Sequence, residues 1–250
     1  MVKLKLVTHC IDDKNEGNSN LLKEYLAYKL YNELNRNSFR VQLIKITYID
    51  NVGDYGKETR YGFIIESKKE MADRIGGKIC DECFNPGIDD LSKKDMNVTA
   101  VFQYMVGNAD WDIEMNKNIA LVKTNNSNKL ITVPYDFDFA GLVNTSYAIP
   151  NPNYGLKSVK ERVFLGKELN NNQMRSTLEY FVNKKSELYR IVKKLKPMNY
   201  TDKQDSYVYL NEFYDNVAVL LNMENENLYE VLKNAHLSEE QSVNPKSLGK

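Results

Sequence analysis

A leucine stands at positions 22, 26, 30 and 34, and a spacing of four admits one regular structure, an α-helix with a single buried face. Tyr25 and Ala27 widen the stripe. Ser19 or Asn20 is the expected cap of a helix beginning at Leu21, because a short polar side chain there accepts a hydrogen bond from an N–H the helix leaves unpaired. Ahead of it, Leu4 and Leu6 alternate with lysines before Val7, the pattern of a half-buried strand, and an Asn-rich turn through Asn18 separates the two. Behind it, Val41, Leu43, Ile44, Ile46, Tyr48 and Ile49 form a β-branched and aromatic run. Residues 60–66 form another beyond the turn at 51–56, so the two are expected to pair as antiparallel strands. Strand, helix and hairpin in that order predict a small α+β lobe over residues 1–76.

The second half reads differently. Gly76-Gly77 and Asn85-Pro86-Gly87 bracket a loop-rich passage, after which 96–105 reads as a helix ending near Gly107. Residues 118–122 and 130–133 are short strands around a polar turn at 125–128. A loop rich in Pro and Asn over 150–155 leads to helical spacing over 174–194, closed by Lys196-Pro197, and again over 206–221. From Ser238 the sequence is polar and aperiodic, which predicts a disordered tail over 238–250 behind a mainly helical lobe over 77–237.

At 250 residues the chain is long enough to bury a substantial core. Its 34 basic and 34 acidic residues cancel, so no global field draws it to nucleic acid or to an anionic membrane. No apolar run is long enough for a bilayer, and the opening residues lack a secretory core; the expected location is cytoplasmic by default. Three cysteines cannot all pair. Cys80-Asp-Glu-Cys83 has the spacing of a metal or redox motif, but zinc needs four ligands and Cys10 and two histidines are all that remain elsewhere, so a structural role leads. His9 and Cys10 are also read as structural, since adjacent strand residues point to opposite faces.

Asp110, Asn118, Asp136 and Asp138 flank the short hairpin. A hairpin returns the chain on itself, so residues at the outer ends of its two strands converge despite their separation in sequence. Carboxylate and amide oxygens are hard donors that suit Mg²⁺ or Mn²⁺, and Mg²⁺ held by one or two carboxylates commonly also binds phosphates. Taken alone, Asp136 and Asp138 would be read as turn residues; set against Asp110 and Asn118, the functional reading leads. Phosphoryl transfer uses such a set, with a carboxylate for the acceptor hydroxyl and an Asn plus an Asp for metal. Ordinary protein kinases place the Asn five residues after the catalytic Asp, whereas Asn118 follows Asp110 by eight, and Asp112 also misses the spacing.

Val101-Phe-Gln-Tyr-Met-Val-Gly-Asn-Ala-Asp-Trp111, then Asn118-Ile119, then Val133-Pro-Tyr-Asp-Phe-Asp-Phe-Ala-Gly141, resembles the CotH-type kinase-like proteins and their bacterial relatives. The resemblance implies an atypical protein-kinase-like fold and phosphotransfer from ATP with Mg²⁺ (or Mn²⁺). It implies Asp110 as catalytic base, Asn118 and Asp136 as metal ligands, and Asp138 as a second metal candidate. Lys5, with Lys3 as the lesser alternative, would hold the α- and β-phosphates, steadied by an ion pair to Glu24. A helix glutamate of this kind is otherwise solvated or paired one turn away, so the role of Glu24 rests on the resemblance. Two departures stand out. Lys117 occupies a position where relatives commonly carry His, and the strand pair and glycine-rich cover that normally precede the phosphate lysine are missing. The expectation is a truncated N-terminal lobe, with any secretion signal of a longer form lost alongside it.

Trp111 and Tyr135 are expected to anchor the site loops by packing, and Arg162 to be an exposed helix charge. Three functions compete: a phosphotransferase acting on a protein or small hydroxyl acceptor, a pseudokinase that binds nucleotide without turnover, and a metal-dependent phosphodiesterase. The expected partners are a nucleotide and that acceptor, with neither nucleic acid nor membrane.

Overall fold

The leucine stripe lies on helix α1 (Lys14–Leu34), where Leu22, Leu26, Leu30 and Leu34 are all buried. The computed structural model describes residues 5–53, 56–125 and 127–241; Lys3, Leu4, Asn126 and the last stretch of the expected tail, 242–250, lie outside them. α1 begins at Lys14 rather than Leu21. Asp13 is its cap, accepting from the Glu16 N–H at 2.8 Å, so neither Ser19 nor Asn20 serves as one. The Asn-rich segment reads locally as a turn, but its polar side chains are taken up by neighbours. Asn18 Oδ1 accepts from the Tyr61 N–H at 3.1 Å, and Ser19 Oγ donates to Asp202 Oδ1 at 2.8 Å.

β1 (Lys5–Val7), β2 (Val41–Ile49) and β3 (Lys57–Ile65) form an antiparallel sheet in the order β1-β3-β2, with Lys5 opposite Ile65 and Val41 opposite the same residue on the other side. The expected hairpin is therefore present. Ser67 and Glu70 then form a reciprocal capping box that starts α2 (Lys68–Arg74), a helix not anticipated from periodicity. β4 (Gly77–Ile79) begins a second antiparallel sheet, completed by β5 (Ile119–Thr124) and β6 (Leu130–Pro134) in the order β4-β5-β6. Cys80 and Cys83, just beyond β4, are joined in a disulfide, and Cys10 is a free, exposed thiol.

α3 (Lys93–Val106) stops at Gly107, whose φ of 65° is the left-handed conformation a side chain would resist. α4 (Asn171–Lys194) and α5 (Tyr200–Leu221) both start earlier than their apolar spacing suggests, because Asn170 and Asn199 cap them by accepting from Gln173 and Asp202 N–H groups. α6 (Leu228–Gln241) buries Leu228, Tyr229 and Leu232 and continues past Ser238, so regular structure runs into the stretch expected to be disordered. Among the described residues this is an α+β fold with two small antiparallel sheets and six helices, none of them long and apolar enough to cross a membrane. One hydrophobic cluster, running from Leu21 to Leu232, serves both sheets and the helices.

Candidate functional site

The register of the second sheet sets the site. Ile119 faces Pro134, so the residues just outside that pair, Asn118 and Tyr135, meet at the hairpin's open end, and the Tyr135 N–H donates to Asn118 O at 3.0 Å. Asp136 follows at once. Asn118 and Asp136 have φ of 54° and 63°, a conformation Asn and Asp tolerate better than other residues that carry a side chain. Asp136 is held there by its N–H, which donates to Tyr28 Oη on α1 at 2.8 Å.

Asp110 reaches the same end from α3. Asn118 Nδ2 donates to Asp110 O at 2.6 Å and to Asp110 Oδ2 at 3.0 Å, and Lys117 Nζ pairs with Asp110 Oδ1. Asn108, buried and not singled out from sequence, ties the two arms together: its Oδ1 accepts from the Asp110 N–H at 2.9 Å and its Nδ2 donates to Asp136 O at 3.5 Å. Asp112 caps a turn instead, accepting from the Glu114 and Met115 N–H groups at 2.6 and 3.1 Å. Those bonds leave Asp110 as the acid presented at the hairpin's end.

The other acids gather on the side facing α1. Asp138 shares a side-chain hydrogen bond with Asp136. Burial, then the Asp136 charge, push its carboxyl up to about 6, while Tyr147 Oη donates to Oδ2 at 3.2 Å and works the other way. Glu24 is not the solvated helix residue its neighbours suggest, being 8% exposed. Burial, followed by the charges of Asp136 and Asp138, pushes it up to about 8, opposed by the charge of Lys5 and by a hydrogen bond from the Phe137 N–H. Lys5 thus acts on Glu24 through its field. Among the described residues no ion pair joins the two, which corrects the expected contact, because the glutamate is engaged by the Phe137 backbone. Phe137 itself is fully buried between Tyr28 and Phe102, at ring distances of 4.8 and 5.5 Å, and this locks the Asp136–Asp138 segment onto the core.

Lys5 also lines a cavity of about 330 Å³ with Phe39, Ile65, Glu66, Ser67 and Tyr135. Tyr135 is half-buried against Phe39, with Lys68 Nζ 4.7 Å from its ring centre, and Trp111 is fully packed. Arg162 departs from its expectation. It lies in an irregular segment, not a helix, and its guanidinium is inserted between elements, donating to Met105 O and Tyr209 O and pairing with Glu212 at 3.2 Å. Two carbonyls and a carboxylate compensate its burial.

All six sequence-predicted residues therefore fall into two linked groups: Asp110 with Asn118, and Glu24 with Asp136, Asp138 and the field of Lys5. Asn108 and Tyr28 provide the links. Among the described residues no three His, Cys, Asp or Glu side chains are arranged to hold a metal ion by themselves. No protein-family model matches the chain, and no curated protein does.

Proposed function

We propose that this protein is an atypical kinase-like phosphotransferase that uses ATP and a divalent cation. The observation that carries the reading is the association of Lys5 and Glu24 with Asp136 and Asp138, although more than a hundred positions separate the first pair from the second in sequence. A cation from the first strand and a carboxylate from the first helix, set beside a second carboxylate pair, are the parts that hold nucleotide phosphates in kinases. The order of strand, helix, strand pair and catalytic hairpin agrees with the resemblance to CotH-type proteins.

The residues fit a hard cation. Asp136 and Asp138 are close enough to share a hydrogen bond, and a divalent ion satisfies two such carboxylates better than one proton does. Mg²⁺ generally uses one or two protein carboxylates together with substrate phosphates, which suits the pair Asp136 and Asp138. Asn118 would add its amide oxygen, its nitrogen being committed to Asp110. When bound, the ion would neutralise charge on the phosphates. Lys5 would bind the α- and β-phosphates as a point charge. The cavity beside it, walled by Phe39, Ile65 and Tyr135, is the natural seat for the nucleotide base. Asp110, oriented by Asn118 and Asn108, would accept the acceptor's hydroxyl proton.

In the first test, Mg²⁺ with ATP raises the melting temperature by on the order of 5–10 °C at a hundredfold excess over Kd, and Asp136→Ala abolishes the shift. No shift in the parent protein ends the proposal. A second reading, nucleotide binding without turnover, is favoured by the ion pair that Lys117 makes with Asp110, which already engages one oxygen of the proposed base. Transfer of radiolabel from ATP to an acceptor separates the two readings.

A further inference from the structure

Asp110 lines a second cavity, of about 220 Å³, which shares no lining residue with the cavity beside Lys5. Its walls come from three places. Gly107, Ala109 and Asp110 form the end of α3 and the turn beyond it; Phe139 comes from the segment after Asp138, and Ile149, Leu156 and Val159 from the following loop. The first wall is held rigidly, because Gly141 N–H donates to Gly107 O and Leu142 N–H to Val106 O, both at 3.0 Å. A short 3₁₀ turn, Pro152–Tyr154, stiffens the loop opposite, and Asn151 caps it by accepting from the Asn153 N–H.

Among the described lining residues Asp110 is the one ionisable side chain, and the remainder are apolar apart from that capping amide. An anionic acceptor entering this cavity would lose hydration and meet the Asp110 carboxylate, with no cationic lining residue to offset either. The volume is below that of a drug-sized pocket, so the space takes a single small body and not a nucleotide or a sugar chain. Phe139 lines the cavity with one contact already made edge-on to Tyr147, at 5.8 Å between ring centres, and a second flat ring packs well against such a face.

We propose that this cavity receives the acceptor of the phosphotransfer reaction and that the acceptor is a phenol, its ring against Phe139 and its hydroxyl at Asp110. The inference rests on the phosphotransfer reading and names the substrate class of the same site. In the step, the phenol proton passes to an Asp110 carboxylate oxygen, and the phenol oxygen forms a bond to the γ-phosphorus. The bond from that phosphorus to the β,γ-bridging oxygen breaks, so that the products are an aryl phosphate and ADP. Asp110 has a site left for the proton, since Lys117 and Asn118 occupy only part of the acceptor capacity of its two oxygens.

The test has two arms on the full chain. Saturation-transfer NMR without nucleotide detects binding of p-cresol, and Ile149→Asp removes it; Ile149 is 77% exposed, so this variant folds as the parent does, whereas Leu156→Asp makes the same change at a more enclosed wall. With Mg²⁺ and radiolabelled ATP, p-cresol or a tyrosine-containing peptide is labelled. Ile149→Asp lowers that labelling at least tenfold, mainly through KM, while the melting shift with Mg²⁺ and ATP is retained. Labelling of p-cresol alone points to a free phenol, and labelling of the peptide to a tyrosine side chain. Absence of p-cresol binding, or preference for a seryl or lysine-rich peptide over both phenols, overturns the inference. Phenol binding without any melting shift from ATP sinks the phosphotransfer reading instead and leaves a phenol site.

Discussion

Glu24 holds its proton at neutral pH because its carboxyl is buried and faces two aspartates, and this has a measurable cost. Its value of about 8 in the folded protein stands against the ordinary 4.5, so the folded state keeps a proton that the unfolded chain releases. The stability it contributes is complete below about 4.5 and is lost as the pH rises through about 8. A shift of that size corresponds to on the order of 5 kcal/mol. Asp138, at about 6, acts with the same sign over a lower window. Without metal or nucleotide, urea midpoints should therefore fall steadily from pH 5 to 9. Glu24→Gln should flatten the part above pH 6 and raise stability near pH 9, and an unchanged slope in that variant would mean Glu24 is ionised when folded. From sequence, Glu24 looked like any helix glutamate beside lysines. Burial is decided by what packs on it, and Asp136 and Asp138 arrive more than a hundred residues later. Arg162 was misread for the same reason: the carbonyls that take its guanidinium belong to Met105 and Tyr209.

Elements with a strong local period were legible, and those fixed by a cap or a single bond were less so. The leucine stripe of α1, the β2–β3 hairpin and the β5–β6 hairpin follow from apolar spacing alone. The first turns of α1 are polar, so only Asp13 and the distant partners of Asn18 and Ser19 reveal them as helix. α2 had a readable signal in Ser67 and Glu70, the two ends of a capping box, but its seven residues carry too little period to draw notice. β4 is three residues long and is defined by its ladder to β5. The disulfide beyond β4 closes a loop of four residues that is clasped to the turn before Asn118: Asn116 Nδ2 donates to Asp81 O at 3.3 Å and the Asn85 N–H to Glu114 O at 2.8 Å. Closing so short a loop is worth about 2 kcal/mol in the chain-entropy account. Reduction with dithiothreitol should lower stability by no more than that, and should speed amide exchange over residues 112–118 more than over α4 or α5. Equal acceleration everywhere would show that the clasp does not reach the site.

At the scale of the whole molecule, the question is whether the strand-and-helix part ahead of β4 can move or melt apart from the rest. Contacts made by α1 argue against it. Tyr180 Oη on α4 donates to Leu34 O at 2.7 Å, Lys184 pairs with Glu33 at 2.8 Å, and Ser19 and Lys23 both converge on the buried Asp202 of α5. Tyr31 Oη meets Thr99 Oγ1 in the interior at 2.9 Å, and Thr99 in turn reaches Thr132 on β6 at 3.0 Å. Removing one member of such an enclosed set leaves the other unsatisfied, so these bonds add to the shared apolar cluster in tying α1 to α3 and the second sheet. α1 is thus a common wall, and the sequence boundary after residue 76 divides strand patterns without dividing the core. Denaturation should accordingly proceed in one step, with far-UV circular dichroism and the fluorescence of Trp111, the lone tryptophan, giving the same urea midpoint. Asp202→Ala should move both curves together, by about 2 kcal/mol, because Lys23 would lose its ion-pair partner in a largely buried setting. Two separated transitions, or a variant that shifts one probe alone, would mean that the N-terminal sheet unfolds by itself, and Lys5, Glu24, Asp136 and Asp138 would then have no fixed geometry to share.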